Sequence, residues 1–367
     1  MKDKLEFGSW EARTVLINLV FAQIMLTFPK DMAYLGGSAG WMIPIGITLI
    51  TIIYFAIVAA LFKNVGSMDL VDISEKIGGR VLKVIVGLLV SFFLLVNIST
   101  FLGAFSQTLK LISLDKSPLG YVEFIFVIGS IAAAYFGIEA IVRINSFLVP
   151  VIIASFILIT IGVIPKFNFN NLFPVWGNGF VSLVQGSILK SSVFSSLLIL
   201  FFMVPFFKRK YVKRVGFISI VISGVLLLWA TLAFLLVFSY QIAVDKTIPI
   251  FQMARHMEFA NVSQRIESVS VLICSISSLL YLGIMFTFLI YILEKTLSLK
   301  RSKPIILPMV IIVFSLTNII KKMNIELVNT GIVNYFWMAG LVLPLVILIC
   351  GAAKKVGLKV KGGKDNE

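Results

Sequence analysis

The stretch "FPKDMAYLGGSAGW", Phe28 to Trp41, interrupts an apolar run that begins at Thr14 and resumes at Gly40. Pro29 has no amide hydrogen to give to a helix, and Gly36, Gly37 and Gly40 let the chain turn back. The stretch therefore reads as the end of one helix at a membrane surface, with Trp41 at the interface of the next. On this reading any binding site lies inward of Pro29.

The flanks decide what kind of helices these are. Of 367 residues, 59% are hydrophobic and 13% charged, whereas about a quarter of a soluble domain is charged. Apolar runs long enough to cross a core of about 30 Å recur at about 10–29, 40–62, 81–108, 119–137, 142–164, 182–207, 215–239, 266–293, 304–320 and 332–353. They lack the short alternating strands of a membrane barrel, which leaves helices as the spanning structure. The expected fold class is an all-α integral membrane domain of about ten transmembrane helices, residues 1–353, followed by a basic tail, 354–367. Lys2 and Lys4 before the first span resemble a signal peptide. Glu6, Glu11 and Arg13 at its start, with no small-residue cleavage site after it, predict that it is retained.

Lysine and arginine set the orientation. With both termini inside, cytoplasmic segments and span ends hold Arg13, Lys63, Lys76, Arg80, Lys83, Arg143, the cluster Lys208 to Arg214, Lys295 to Lys303, and the two ends of the chain. That is 22 of the 32 basic residues. The net charge of +15 is thus a topology signal, reinforced by anionic lipid headgroups, and predicts no nucleic-acid partner. Cys274 and Cys350 each fall inside a span, where a lone cysteine behaves as a small apolar side chain.

Three connections are longer than simple turns. Ser67 to Gly79, "SMDLVDISEKIGG", places Leu70, Ile73 and Ile77 on one face and predicts an amphipathic helix on the cytoplasmic surface. Pro165 to Gly179, "PKFNFNNLFPVWGNG", is an outer loop. Ser239 to Arg265 holds Thr247 and Pro249, which start a short outer helix running through Met257. Each outer segment either covers an entrance or simply connects.

Ten spans divide into two groups of five, about 10–164 and 182–353, and an odd number turns the second group upside down. The first span of each group is unusual. The first stops at Pro29. The sixth carries Gln185, Gly186, Ser187, Lys190, Ser191, Ser192, Ser195 and Ser196 before its apolar half and then Pro205. Interrupted helices at equivalent places in inverted halves point to a midplane site, because unwound backbone exposes amides and carbonyls.

The stretches "TFPKDMAYLGGSAGW", "YFGIEAIVRIN" (Tyr135 to Asn145), "NNLFPVWGNG" (Asn170 to Gly179) and "RIES" (Arg265 to Ser268) occur in an order and spacing that resembles bacterial endospore germination permeases. These are the B subunits of nutrient germinant receptors, within the amino acid–polyamine–organocation superfamily. The resemblance spans essentially the whole chain. It implies a five-plus-five inverted-repeat bundle with interrupted helices 1 and 6. It also implies a sensor of small nutrients (amino acids, sugars or nucleosides) in the spore inner membrane, working with a larger A subunit and a lipoprotein C subunit.

Related carriers hold substrate among spans one, three, six and eight. The resemblance carried over implies a ligand site of Ala22, Gln23, Ile24 and Met25 at the first break, Asn97 and Phe101 on the third span, Ser191, Ser192 and Phe194 on the sixth, and Ser277, Ser278 and Tyr281 on the eighth. The first break, "VFAQIMLTFP", departs from the glycine-rich breaks of amino-acid carriers and offers a carboxylate less open backbone.

Single polar residues carry two readings each. Lys190, well inside span six, either faces a cavity as a ligand- or proton-linked charge, or snorkels to the outer interface. Glu139 and Arg143 are either a helix-end salt bridge or a gate or subunit contact. Arg265 and Glu267 carry the same choice, since a carboxylate near a helix start is favourable on dipole grounds. Glu123 reads as interfacial and His256 as solvated. The serines of spans six and eight are either helix packing or ligand contacts.

No phosphate loop, metal-ligand spacing, nucleophile–base arrangement or cofactor fingerprint occurs, so an enzyme, a cofactor and a metal are not expected. A ligand-sensing receptor subunit and an ion-coupled secondary transporter both fit the same fold and pocket. A passage for water or ions is a third reading.

Overall fold

A computed structural model describes residues 7–62, 68–114, 116–207, 209–256, 263–299, 303–322 and 331–354; the side chains of 209, 263–267, 331–335 and 337 lie outside that description. The chain is helical throughout, with no strand among the described residues. The helices are α1 (Ser9–Met25), α2 (Phe28–Gly36), α3 (Ile43–Phe62), α4 (Leu70–Ile112), α5 (Leu119–Phe136), α6 (Ile138–Gly162), α7 (Phe180–Lys190), α8 (Leu198–Met203), α9 (Val212–Val237), α10 (Tyr240–Ala243), α11 (Pro249–Arg255), α12 (Ser263–Thr296), α13 (Lys303–Lys322) and α14 (Gly331–Ala353). Eight stretches among them are long and apolar enough to cross a membrane, and the apolar helix Met338–Ala353 is a shorter one.

The first span differs from its expected form. α1 ends at Met25, four residues short of Pro29, and Pro29 sits in the first turn of α2. The physical reason is the proline itself. It cannot donate to the Met25 carbonyl, and its ring would collide with that carbonyl if the helix ran on, whereas the first turn of a new helix accepts it. α1 and α2 together reach about 40 Å at roughly 1.5 Å per residue, so both halves belong to one interrupted span. The stretch Phe28 to Gly36 is therefore the second half of a broken helix, and the break at Leu26–Thr27 lies inside the bundle.

The sixth span is broken as well: α7, a 3-10 segment Ser191–Leu197, then α8 and a last 3-10 turn. Hydroxyls here donate back to carbonyls three residues earlier, Ser191 to Ile188 at 2.7 Å and Ser192 to Leu189 at 3.0 Å. Such bonds compete with the regular helical ladder and favour the tighter winding.

Packing partners exchange between the halves. α1 packs on α6 and α9; the broken sixth span packs correspondingly on α14 and α3. α4 packs on α13 and α14, while α12 packs on α5 and α6. The pairs α3 with α9, α4 with α12 and α5 with α13 map onto themselves. This is the pattern of two five-helix halves related by a two-fold in the membrane plane. The reversal shows at one end, where the Phe7 amide at the start of the first span donates to the Phe206 carbonyl at the end of the sixth, 3.1 Å. That end, with Arg13, Arg80, Lys83, Lys213 and Arg214, is called the basic end below.

Asp69 caps α4, accepting from the amides of Val71 and Asp72, and the Leu70–Ile77 segment tucks under the bundle: Leu70, Val71 and Ile73 are fully buried. It is thus a packed element rather than a helix lying on a surface. Gly78 and Gly79 leave helical geometry, Gly79 at φ 68°, before the membrane-crossing part of α4. Ser67, the expected cap, lies outside the described residues.

At the far end the Pro165 to Gly179 loop binds the end of α2. Asn178 donates through Nδ2 to the carbonyls of Tyr34 and Leu35 and through its amide to that of Gly36, and Ser38 donates to Pro174. The last carbonyls of α2, which have no helical donor, are satisfied this way. The short outer helix is Pro249–Arg255, and Met257 lies outside the described residues.

Candidate functional site

Both breaks open onto one cavity of about 430 Å³. Gln23, Leu26, Thr27, Phe28 and Asp31 line it from the first span, and Lys190, Ser192, Val193 and Ser195 from the sixth. α4 supplies a stripe from Ser99 to Leu111, α13 supplies Thr317, Ile320 and Lys321, and Thr247 closes the far side. Leu111, Ile320 and Thr247 all belong to the far end, so the cavity runs from the helix breaks to that end. Toward the basic end α1 is packed on every side: Val15 through Ile17, Leu19 through Ala22, Ile24 and Met25 are all buried.

The cavity floor is a chain of polar contacts. Gln23 donates through Nε2 to the Tyr281 hydroxyl, 3.4 Å, and Tyr281 donates to Asn97 Oδ1, 2.8 Å. The Tyr281 ring stacks on Phe101, centroids 3.9 Å apart at 24°. One residue from each of α1, α4 and α12 is thereby fixed against the others. The fully buried tyrosine has its hydroxyl paired and orients Gln23, while Asn97 Nδ2 has no hydrogen-bond partner among the described residues.

The charges are arranged in two pairs. Lys190 Nζ lies 2.7 Å from Asp31 Oδ2, joining the far halves of the two broken helices. Lys321 pairs with Glu123, a carboxylate with no exposed surface one turn into α5. Three charged side chains thus face the cavity: Asp31, Lys190 and Lys321. Glu123 also sits near the start of α5 and Lys321 near the end of α13, positions that both helix dipoles favour.

Of the residues singled out from the sequence, Gln23, Phe101, Ser192 and Lys190 line the cavity. Asn97 and Tyr281 lie directly beneath Gln23. Ala22, Ile24 and Met25 pack in the core, as does Phe194, and Ser191 is buried beside the cavity. Ser277 exchanges hydrogen bonds with Asn18, its hydroxyl 2.9 Å from Oδ1, and Ser278 is buried next to it. Glu139 and Arg143 form an exposed i,i+4 pair at 2.5 Å, away from the cavity. The side chains of Arg265 and Glu267 lie outside the described residues. His256 is exposed, with Nδ1 2.9 Å from the Gln252 carbonyl.

Asp31, Lys321, Glu123, Thr317 and Gln107 were not read as site residues. Asp31 was hidden by placing the end of the first span at Pro29, and Lys321 and Glu123 by their nearness to span ends. The stripe Thr100, Ala104 and Gln107, small or polar at helical spacing on an otherwise apolar span, is a signal the sequence does carry.

A family model described as spore germination protein matches residues 10–325. No curated protein matches the chain. Among solved structures, the inward-facing conformation of Mhp1 is similar at 13% identity and a TM-score of 0.49, over 94% of this chain and 75% of that one.

Proposed function

The chain belongs to the spore germination permease family, and from that premise we propose that it is the membrane subunit of a nutrient germinant receptor. The cavity takes up a small nutrient and its occupancy triggers germination. The observation that carries this reading is a cavity with polar side chains on a largely apolar wall at the breaks of both interrupted helices, reached from the far end and packed shut toward the basic end. Its volume of about 430 Å³ lies in the range of small-molecule pockets. Hydroxyls, two amides, one carboxylate and two ammonium groups suit an amino acid, a sugar or a nucleoside. Gln23, Phe101 and Ser192 contact the nutrient, and Tyr281 and Asn97 hold Gln23 in place.

Positive charge inside puts the basic end and both termini in the cytoplasm, so the cavity faces outward. The membrane is the spore inner membrane. The apolar perimeter meets lipid and the A and lipoprotein C subunits, which read the shift between conformations that nutrient binding produces. On this reading the chain carries out no chemistry of its own.

One observation favours a second reading. Two broken helices meeting at a single cavity also serve alternating access in an ion-coupled secondary transporter. The test is a clean gene deletion assayed twice: nutrient-triggered germination of purified spores, and uptake of the same labelled nutrients by growing cells. Lost germination with intact uptake is expected. Lost uptake with normal germination would make the chain a transporter.

A further inference from the structure

At the basic end, four donors from two helices converge on one fully buried carboxylate. Asp69 caps α4 through the amides of Val71 and Asp72, at 3.1 and 3.0 Å. The same side chain accepts from the Tyr291 hydroxyl at 3.0 Å and the Lys295 ammonium at 2.5 Å, and Lys295 also lies 2.6 Å from Asp72. We infer that this Asp69–Tyr291–Lys295 node is a latch that holds the basic end shut, and that its release passes occupancy of the cavity to that face. The inference rests on the receptor reading above.

The segment the node holds is built to move as a unit. Leu70–Ile77 is pinned at its start by Tyr291 and Lys295 of α12. At its end Lys354 donates to the Ile77 carbonyl, 2.8 Å, and Gly351 of α14 lies against Ile73 and Ile77. Its third attachment is the Gly78–Gly79 joint to the rest of α4, where Gly79 at φ 68° takes a conformation that side-chained residues resist. A short helix clamped at both ends and jointed to a long one has two ways to sit: clamped, or swung on the joint with Asp69 released to water.

The node touches the end of the broken sixth span and, through it, the start of the first. Tyr291 meets the Phe206 ring edge-on at 5.3 Å, and Phe206 stacks on Phe7 at 5.8 Å. Phe7 and Phe206, which would have to part for the basic end to open, are therefore linked to the carboxylate through Tyr291. The link to the cavity is equally direct. Tyr281 on the cavity floor precedes Tyr291 by ten residues on α12, about 15 Å along one helix. Asn97 and Phe101, which hold Tyr281, are on α4, the helix that Asp69 caps. The membrane-crossing part of α4 is thus fastened to α12 at the cavity, and the segment beyond its Gly78–Gly79 joint is fastened to the same helix at the node. Just past the node on α12, Gly87 of α4 approaches Thr296 so closely that a Cβ there would fall 2.0 Å from its hydroxyl.

A buried carboxylate is tolerated while its partners are in place and costly when one leaves, which makes the node switch rather than yield gradually. Burial does push Asp69 above the ordinary carboxylate range, with Lys295 pulling the other way.

The test uses the full-length chain carrying Lys295→Met or Tyr291→Phe. Deuterium exchange at Leu70–Ile77 is followed in lipid nanodiscs, and germination of variant spores is followed with no nutrient added. Loss of a hydrogen bond to a charged group should raise exchange across the segment about tenfold or more. Nutrient-free germination should rise with it, and Tyr291→Phe should act in the same direction but less. Faster exchange with nutrient-free germination at the wild-type rate would reduce the node to structural glue and overturn the latch, as would unchanged exchange. Should Lys295→Met fail to accumulate, Tyr291→Phe decides, since it removes one hydroxyl and no packing. Failure of the receptor reading shows separately, as normal nutrient germination in the gene deletion.

Discussion

Lys190 and Asp31 meet with Nζ 2.7 Å from Oδ2, each side chain about a quarter to a third exposed, so that the far halves of the two broken helices are joined by one ion pair at the cavity wall. A lysine this deep in an apolar span requires a partner or a cavity, and here it has Asp31 and faces the cavity. The pair also explains why "KD" follows the proline: Asp31 is one turn into α2, within reach of the end of α7.

Lys190→Met should weaken the nutrient response while leaving the amount of protein near wild type, because Asp31 keeps access to cavity water. Combined with Asp31→Asn in a double-mutant cycle on thermal unfolding in detergent, the coupling should be about 1 kcal/mol or less, as for partly exposed pairs. An unchanged response in Lys190→Met would leave the pair without a functional part.

The Glu123–Lys321 pair should respond unequally to the loss of either partner. Lys321→Met strands a carboxylate that has no exposed surface, whereas Glu123→Gln leaves an ammonium that can turn into the cavity and hydrate. Lys321→Met should therefore lose about 3 kcal/mol or more of stability, and Glu123→Gln clearly less. Folded yield and unfolding temperature in detergent check the order.

Tyr281→Phe keeps the stack on Phe101 and removes only the hydroxyl between Gln23 and Asn97. Leaving Asn97 without that donor should cost about 1–3 kcal/mol. The nutrient response should shift to higher concentration, because Gln23 loses its support. A dose–response curve at matched protein levels reads this.

How much of this was open to view in the sequence depends on what each residue type can signal alone. Composition and run length fix the membrane class, and the serine run of span six marks its unwound segment because hydroxyls at successive positions compete with the helix ladder. Pro29 misleads, since a proline inside a span and one at its end look the same until the following helix is seen to carry buried residues. Ion pairs such as Glu123 with Lys321, 198 residues apart, leave no local trace. Nor does the fastening of α4 to α12, which depends on how two helices lie rather than on either sequence.

Asp69 yields a pH prediction. Its pKa is raised in the folded chain, first by burial and then by Asp72, against the pull of Lys295. The folded state therefore binds this proton more tightly than the unfolded one. The resulting stability is fully present below the ordinary value of 3.8 and is lost as pH rises through the raised folded value. Asp69→Asn retains a good helix cap and should lack this slope. Unfolding midpoints of the two proteins across mildly acidic pH should diverge accordingly.

The claim that the cavity is where a nutrient is sensed is tested most directly by equilibrium binding. Purified wild-type protein and Ser192→Trp, a substitution that fills the cavity from its wall, would be titrated with a panel of labelled amino acids, sugars and nucleosides. The account predicts saturable binding of at least one of them to the wild type and its loss in a folded Ser192→Trp protein. Binding at wild-type affinity by the filled variant would contradict it.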